Sequence, residues 1–127
     1  EELTNYTDFT NHTTAVNLMC TADMLLFVVP DVKGNELIVT GKLFEYLASG
    51  TEILALGPTG GDAASILHEA GREPLLSYTD TNAILNQLNI ALSNFNHSTT
   101  RKKYSETSIA TFSRRFQAGR MAEVLAQ

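Results

Sequence analysis

The stretch TGKLFEYLASG, which begins at Thr40, holds the residues best suited to chemistry in this chain. Its apolar residues recur at helical spacing, so we predict a helix over 41–49. The start of a helix offers free backbone N–H groups and a positive dipole end, to which Thr40, Gly41 and Lys42 add a hydroxyl, an open backbone and a cation. This combination suits a diphosphate. One turn later, the carboxylate of Glu45 suits the paired hydroxyls of a ribose.

The spacing of Lys42 and Glu45 also has a plainer explanation. The two residues are three apart and share one edge of the predicted helix, where a surface ion pair is worth only tenths of a kcal/mol. The stretch is not a Walker A loop, because Leu43 follows the lysine where that motif requires Ser or Thr. A nucleotide-binding helix and an exposed ion pair both remain open at this point.

A second glycine-bearing turn, GPTGGD, lies between an apolar run and a helical pattern. Gly57, Thr59 and Gly60 of this turn could contact phosphate through their backbone N–H groups. The turn lacks the G-x-G-x-x-G spacing of dinucleotide-binding loops. A tight strand-to-helix turn explains the same residues equally well.

Alternating strand and helix patterns position these two loops. Continuous apolar runs predict three short strands of the kind that is buried on both faces, and a further strand is predicted near the start of the chain. These segments lie at 24–30, 52–57, 74–78 and 3–9. Helical patterns lie at 13–21, at 41–49, in DAASILHEAG with Asp62 as its N-cap and Gly71 as its stop, and in DTNAILNQLNIALSNF behind an Asp80 N-cap.

This order of elements predicts an α/β fold for a single domain over 1–127. We expect a Rossmann-like parallel sheet with helices on both faces and right-handed crossovers. Ligands of such sheets bind beyond the carboxyl ends of the strands, which here lead into the loops 30–41, 57–62 and 78–80. The two glycine-bearing loops, PDVKGNELIVTG at 30–41 and GPTGGD at 57–62, therefore lie where a site is expected.

The charges divide the chain into an acidic body and a basic end. Residues 1–100 hold twelve acidic and three basic side chains, whereas 101–127 hold two acidic and six basic ones. An acidic body with so few cations excludes a nucleic-acid surface, which needs clustered Lys and Arg. The scarcity of cations in the body also makes Lys42 conspicuous.

The basic end predicts a helix within SETSIATFSRRFQAGRMAEVLAQ. Its apolar face would carry Ile109, Phe112 and Phe116, with three arginines outside and Gly119 as a bend or break. The helix could pack on the sheet with a solvated basic face, or its basic side could contact anionic lipid at a membrane surface or a partner domain.

Composition narrows the class of protein further. No apolar run approaches the roughly 18–20 residues of a membrane span, and no signal peptide is visible, so we predict a cytoplasmic location. The single Cys20 excludes an internal disulfide and a multi-cysteine metal site. No metal-ligand spacing and no Ser-His-Asp pattern stands out, and His12 is expected to be a structural or surface residue.

The run from Ala22 to Leu67, ADMLLFVVPDVKGNELIVTGKLFEYLASGTEILALGPTGGDAASIL, resembles the donor-binding lobe of bacterial glycosyltransferases. The family is the large retaining one with two Rossmann-like lobes, the GT-B fold, which uses nucleoside-diphosphate sugars. Its most specific piece here is TGKLFEYLASG, followed by an apolar strand and GPTGGDAASIL. The resemblance extends over most of the chain, from about residue 3 to the C-terminal helix.

The resemblance implies roles for individual residues. Glu45 would bind the ribose hydroxyls, and Thr40, Gly41 and Lys42 would lie beside the diphosphate. The GNELIVTG loop would approach the donor sugar, although its acid, Glu36, is one position from where the family places a sugar-contacting glutamate. In the second loop, the family pattern implies that Gly57, Thr59 and Gly60 border the nucleotide pocket.

The resemblance also implies what this chain does within a larger enzyme. We expect a piece of the donor lobe, with the acceptor lobe preceding residue 1 and the last helix crossing back to it. Lys42 would stabilise the departing nucleoside diphosphate without a metal or other cofactor. A non-catalytic nucleotide-binding module, an interaction domain and a nucleotide-sugar epimerase lobe are the alternatives.

Overall fold

The computed structural model describes residues 4–97, 104 and 109–126, and its helices and strands alternate as an α/β protein. The helices are α1 (His12–Thr21), α2 (Gly41–Ser49), α3 (Asp62–Glu69), α4 (Thr81–His97) and α5 (Arg114–Leu125). The strands are β1 (Met24–Val28) and β2 (Glu52–Leu56), and 3-10 turns cover Asn35–Leu37 and Ala110–Phe112. The structure confirms the α/β class.

The sheet is smaller than the sequence predicts. β1 and β2 are parallel, in register from Met24 opposite Glu52 to Val28 opposite Leu56. The third predicted strand is reduced to one parallel bridge between Leu56 and Leu76. Pro74 has no N–H to donate at the start of this segment, and a turn follows within three residues of Leu76, which leaves little chain for a ladder.

The N-terminal strand predicted near 3–9 is also absent, because residues 4–9 form neither a strand nor a helix. Tyr6 and Phe9, the aromatic residues of this segment, are fully exposed. Without a neighbouring strand their backbone has no ladder to join.

The prediction that β1 is buried on both faces is wrong. Phe27 and Val29 on one face are 3% and 1% exposed, whereas Leu26 and Val28 on the other face are 57% and 49% exposed. The buried face packs against α2 and α3 in one core, which includes Leu43, Leu47, Ala63, Leu67, Ile53 and Ala55. Helices therefore cover β1 on one face only, among the described residues.

A buried arginine caps the C-terminal end of α2. Arg72 donates from Nη2 to Leu47 O at 2.7 Å and from Nη1 to Thr51 O at 3.2 Å, so its cation caps the C-terminal end of that helix. Its guanidinium carbon lies 3.7 Å from the centre of the Tyr104 ring. Burial lowers the pKa of the Arg72 guanidinium, and Tyr104 partly offsets that effect. The anchored end lies opposite the N-terminus at Gly41.

The structure tests three of the predicted helix boundaries. Asp80 caps α4 as predicted, since its Oδ1 accepts from Ala83 N at 3.0 Å. Asp62 does not cap α3, because the N-cap is Gly61 and Asp62 is the first helical residue. Gly71 ends the α3 region as predicted, in a left-handed conformation with φ 65°.

The basic C-terminal segment is not one continuous helix over its described residues, because Ile109 is helical and Ala110–Phe112 form a 3-10 turn before α5 begins at Arg114. Ser113 is extended and caps α5, with its Oγ accepting from Phe116 N at 3.2 Å, so it separates Phe116 from Phe112. Phe112 packs on Phe44 of α2, with 6.0 Å between ring centres. No residue of α5 is buried, and the helix continues through Gly119. Within the described ranges, no helix combines the length and the apolar character that crossing a membrane requires.

Candidate functional site

The carboxyl ends of β1 and β2 open into the two glycine-bearing loops. Val29 N donates to Leu56 O at 2.9 Å just beyond β1, and Gly57 N donates to Leu76 O at 2.9 Å just beyond β2. After these two bonds, the chain leaves the sheet at the end of each strand. The predicted site residues all lie in the segments that follow, up to the starts of α2 and α3 and into the first turns of α2.

The start of α2 is exposed and has no side-chain cap. Thr40 is the N-cap, with φ −104° and ψ 154°, but its hydroxyl makes no capping bond, and the first turn contains no acid. A Cβ built on Gly41 would meet no atom within 4 Å, so the approach to the backbone is open. Thr40, Gly41 and Lys42 are therefore presented together to solvent at a positive helix end.

Lys42 and Glu45 do not form the ion pair that the plainer explanation requires. Both side chains are exposed, and no hydrogen bond or ion pair involves either one in the part of the chain that the structure describes. Leu43 and Leu47 hold the opposite side of α2 in the core, at 0% and 1% exposure. Tyr46 packs edge-to-face on Phe27 with 6.4 Å between ring centres.

The two glycine-bearing loops touch through their backbones. A Cβ built on Gly61 would lie 2.7 Å from Glu36 O and 2.9 Å from Glu36 Cα. Real Cβ atoms essentially never approach backbone so closely, and therefore only glycine fits at 61 without movement. The structure thus brings Glu36, a predicted site residue, against the GPTGGD turn. The sequence motif indicates a glycine here but not its partner 25 positions earlier.

Within GPTGGD, the predicted site residues differ in how accessible they are. Gly57 is buried, its N–H is used by Leu76 O, and its Cβ would lie 3.0 Å from Val29 Cβ and 3.3 Å from Leu75 Cδ1. Close packing accounts for this glycine. Thr59 and Gly60 are exposed on the turn, and no backbone hydrogen bond uses their N–H groups among the described residues.

The N-terminus of α3 is less suited to an anion than that of α2. Asp62 places a carboxylate in its first turn, where it already interacts with the positive helix end. α2 has no acid in its first turn and has Lys42 as its second residue. Electrostatics therefore favour α2 as the place for a negatively charged ligand.

Tyr78 and Asn35, which the sequence did not indicate as site residues, hold the loop between β1 and α2 in place. Tyr78 donates its hydroxyl hydrogen to Val29 O, and Asn35 Nδ2 donates to Tyr78 Oη at 3.3 Å and to Pro30 O at 3.1 Å. Asn35 opens the 3-10 turn that carries Glu36. The only sequence signal was a tyrosine at the end of the third apolar segment.

Other features of the described residues do not add to this site. No group of three His, Cys, Asp or Glu side chains there could hold a metal ion. A surface concavity of about 490 Å³ is lined by α5 residues, from Gln117 to Val124, and by none of the predicted site residues. His12 is exposed at the start of α1, as expected.

The chain matches no family model, and no curated protein or solved structure is similar to it at a significant level. The likeness to glycosyltransferases therefore stays a prediction from the residues quoted above.

Proposed function

We propose that this chain is the donor-binding part of a glycosyltransferase, which moves a sugar from a nucleoside-diphosphate sugar to an acceptor hydroxyl. The observation that carries the proposal is the open start of α2, where Thr40, Gly41 and Lys42 are exposed together with no capping side chain and no acid in the first turn. An uncapped helix end beside a cation suits a diphosphate. Its position beyond the carboxyl ends of parallel strands is where α/β sheets bind ligands.

Glu45 supports a nucleotide rather than a simple phosphate. It lies four residues after Gly41, or about 6 Å along the helix axis. In a nucleotide the ribose follows the phosphates directly, so a carboxylate at that remove can accept hydrogen bonds from the 2′- and 3′-hydroxyls. The absence of a Lys42–Glu45 ion pair among the described residues leaves both groups available to a ligand.

The chemistry of transfer assigns Lys42 its role. As the bond between the anomeric carbon and the diphosphate breaks, its electron pair leaves with the diphosphate, the acceptor hydroxyl oxygen bonds to the anomeric carbon, and the hydroxyl proton passes to the released diphosphate or to water. The ammonium of Lys42 and the free N–H groups of α2 would stabilise the charge that develops on the leaving group. Thr40 would add a hydroxyl donor, while Thr59 and Gly60 would border the same ligand from the second loop.

The donor sugar and the acceptor complete the proposal. Glu36 lies in the loop that would face the sugar, and its backbone is in contact with Gly61. We expect the acceptor-binding lobe in another part of the full-length protein. The last helix, α5, has no buried residue and three exposed arginines, which supports a contact with that lobe. Anionic lipid is the other surface that these arginines suit.

The test is a transfer assay on the full-length protein with UDP-glucose, GDP-mannose and ADP-glucose, in which the released nucleoside diphosphate is measured. We expect one donor to be consumed, and Lys42→Ala to lower kcat by about 100-fold because a donor to the leaving group is lost. Lys33→Ala is the control, since Lys33 is an exposed cation of the preceding loop but does not lie at a helix start. No release from any donor, or equal losses in both variants, would contradict the proposal.

A further inference from the structure

The loop between β1 and α2 is tied to a distant part of the chain by one hydroxyl. Tyr78 Oη donates to Val29 O and accepts from Asn35 Nδ2 at 3.3 Å, across 49 and 43 residues of sequence. Asn35 Nδ2 also donates to Pro30 O at 3.1 Å. One hydroxyl donates once and can accept, and an amide nitrogen has two hydrogens, so all three bonds can exist together.

Val29 N, at the start of the loop, donates to Leu56 O at 2.9 Å, and the other hydrogen bonds of this loop are local. They join Val32 N to Pro30 O, Asn35 N to Val32 O, Leu37 N to Gly34 O and Ile38 N to Asn35 O. Beyond Val29, the bond between Asn35 and Tyr78 is therefore the hydrogen bond that fixes the loop to a separate segment within the described residues. Asn35 starts the 3-10 turn that holds Glu36, and the Glu36 backbone lies against Gly61. Through Asn35, Tyr78 thus holds the 3-10 turn whose Glu36 backbone contacts Gly61 of the GPTGGD turn.

We infer that Tyr78 and Asn35 are positioning residues for the donor sugar, which they serve by holding the Glu36 turn in place before the ligand arrives. The inference rests on the proposed function. A loop that is ordered in advance does not lose conformational freedom on binding, and affinity rises accordingly. Since the start of α2 binds the diphosphate and this loop faces the sugar, the pair affects the sugar more than the nucleotide.

This difference gives a result that a purely structural role would not produce. Removing the hydroxyl with Tyr78→Phe loses hydrogen bonds of ordinary strength, which corresponds to a Kd about 3- to 10-fold higher for the nucleoside-diphosphate sugar. The Kd of the same nucleoside diphosphate without its sugar should change by less than about 2-fold. General destabilisation of the protein would raise the Kd of both ligands by the same factor.

The experiment uses the full-length protein, its Tyr78→Phe and Asn35→Ala variants, and Thr79→Ala as the control. Thr79 is exposed next to Tyr78, and its side-chain bond reaches only Ser77. Kd values are measured for UDP, GDP and ADP and for UDP-glucose, GDP-mannose and ADP-glucose. Hydrogen exchange of the amides at 35–38 is measured without ligand.

We expect faster exchange at 35–38 in both variants but not in the control, with the larger loss of affinity for the sugar-bearing ligand. Unchanged exchange would overturn the inference, because the loop would not depend on Tyr78. Faster exchange with equal losses for both ligands would overturn the positioning role. If the unmodified protein bound none of the six ligands, the proposed function and this role would both fail, while the exchange data would still show whether Tyr78 holds the loop.

Discussion

Replacing Gly61 by alanine tests the contact that joins the two loops. The new Cβ would lie 2.7 Å from Glu36 O, and ordinary contact begins at about 3.4 Å, so the backbones must separate by about 0.7 Å. Both atoms that the Cβ meets most closely belong to backbone, which cannot rotate away as a side chain would. Comparable overpacking costs about 1–3 kcal/mol of unfolding free energy.

The conformation of Gly61 does not itself require glycine. Its φ of −88° and ψ of 175° are extended angles that alanine adopts, and alanine at such a site usually gains about 0.4–1 kcal/mol through the unfolded state. The net expected loss is therefore about 1–2 kcal/mol. All of it comes from the approach of Glu36, so the variant isolates the contact between the loops.

Urea denaturation of the full-length protein and of two variants measures this effect. Gly60→Ala is the matched control, because a Cβ there meets no atom within 4 Å and the residue has no positive φ. We expect the control to be as stable as the unmodified protein or slightly more stable. Gly61→Ala should have a lower unfolding midpoint with an unchanged m value. Equal stability of the two variants would refute the argument that the loops are in contact.

Two further predictions concern the elements that position the site. Arg72→Met should lower the free energy of unfolding by about 2–4 kcal/mol in urea denaturation, because it removes two charged hydrogen bonds and leaves Leu47 O and Thr51 O without their donor. Arg72→Lys keeps the charge but not the forked guanidinium, so its free energy of unfolding should be intermediate. Asp80→Ala should lower the unfolding free energy by about 1 kcal/mol through loss of the α4 cap, whereas Asp62→Ala should have a smaller effect in the same assay, since Asp62 caps no helix with its side chain. An intact midpoint in Arg72→Met, or equal effects of the two aspartates, would contradict these reasons.

The local parts of the fold were predictable from the sequence. The bounds of α2 follow from apolar spacing and from Gly50, which ends the helix in a left-handed conformation with φ 71°. The Asp80 cap follows from residue type and position alone. These features depend on residues within one or two turns of each other, and short-range patterns report such features well.

The long-range parts were not predictable in the same way. Leu26 and Val28 are as apolar as interior strand residues, and only the three-dimensional arrangement decides that their face of β1 is left uncovered. The contact of Gly61 with Glu36 spans 25 positions, and the Tyr78 bond to Val29 spans 49. Neither partner carries a local pattern that identifies the other.

The candidate site is divided along the same line. The exposed start of α2 with Lys42 and Glu45 was visible in one stretch of eleven residues, and the structure leaves these groups open to solvent. The residues that hold the surrounding loops, Asn35, Gly61 and Tyr78, emerged only once the segments were brought together. The exposed groups of the candidate site were thus visible in one stretch of sequence, whereas the residues that hold the surrounding loops were not.

The most direct test of the central claim is whether Glu45 recognises ribose hydroxyls. We would measure the Kd of the bound nucleoside diphosphate and of its 2′,3′-dideoxy analogue, for the full-length protein and for Glu45→Ala, with Glu69→Ala as an exposed control on α3. We expect about 10- to 100-fold tighter binding of the ribonucleotide, lost in Glu45→Ala and kept in Glu69→Ala. The same preference for the ribonucleotide in the unmodified protein and in Glu45→Ala would show that Glu45 does not recognise the ribose hydroxyls.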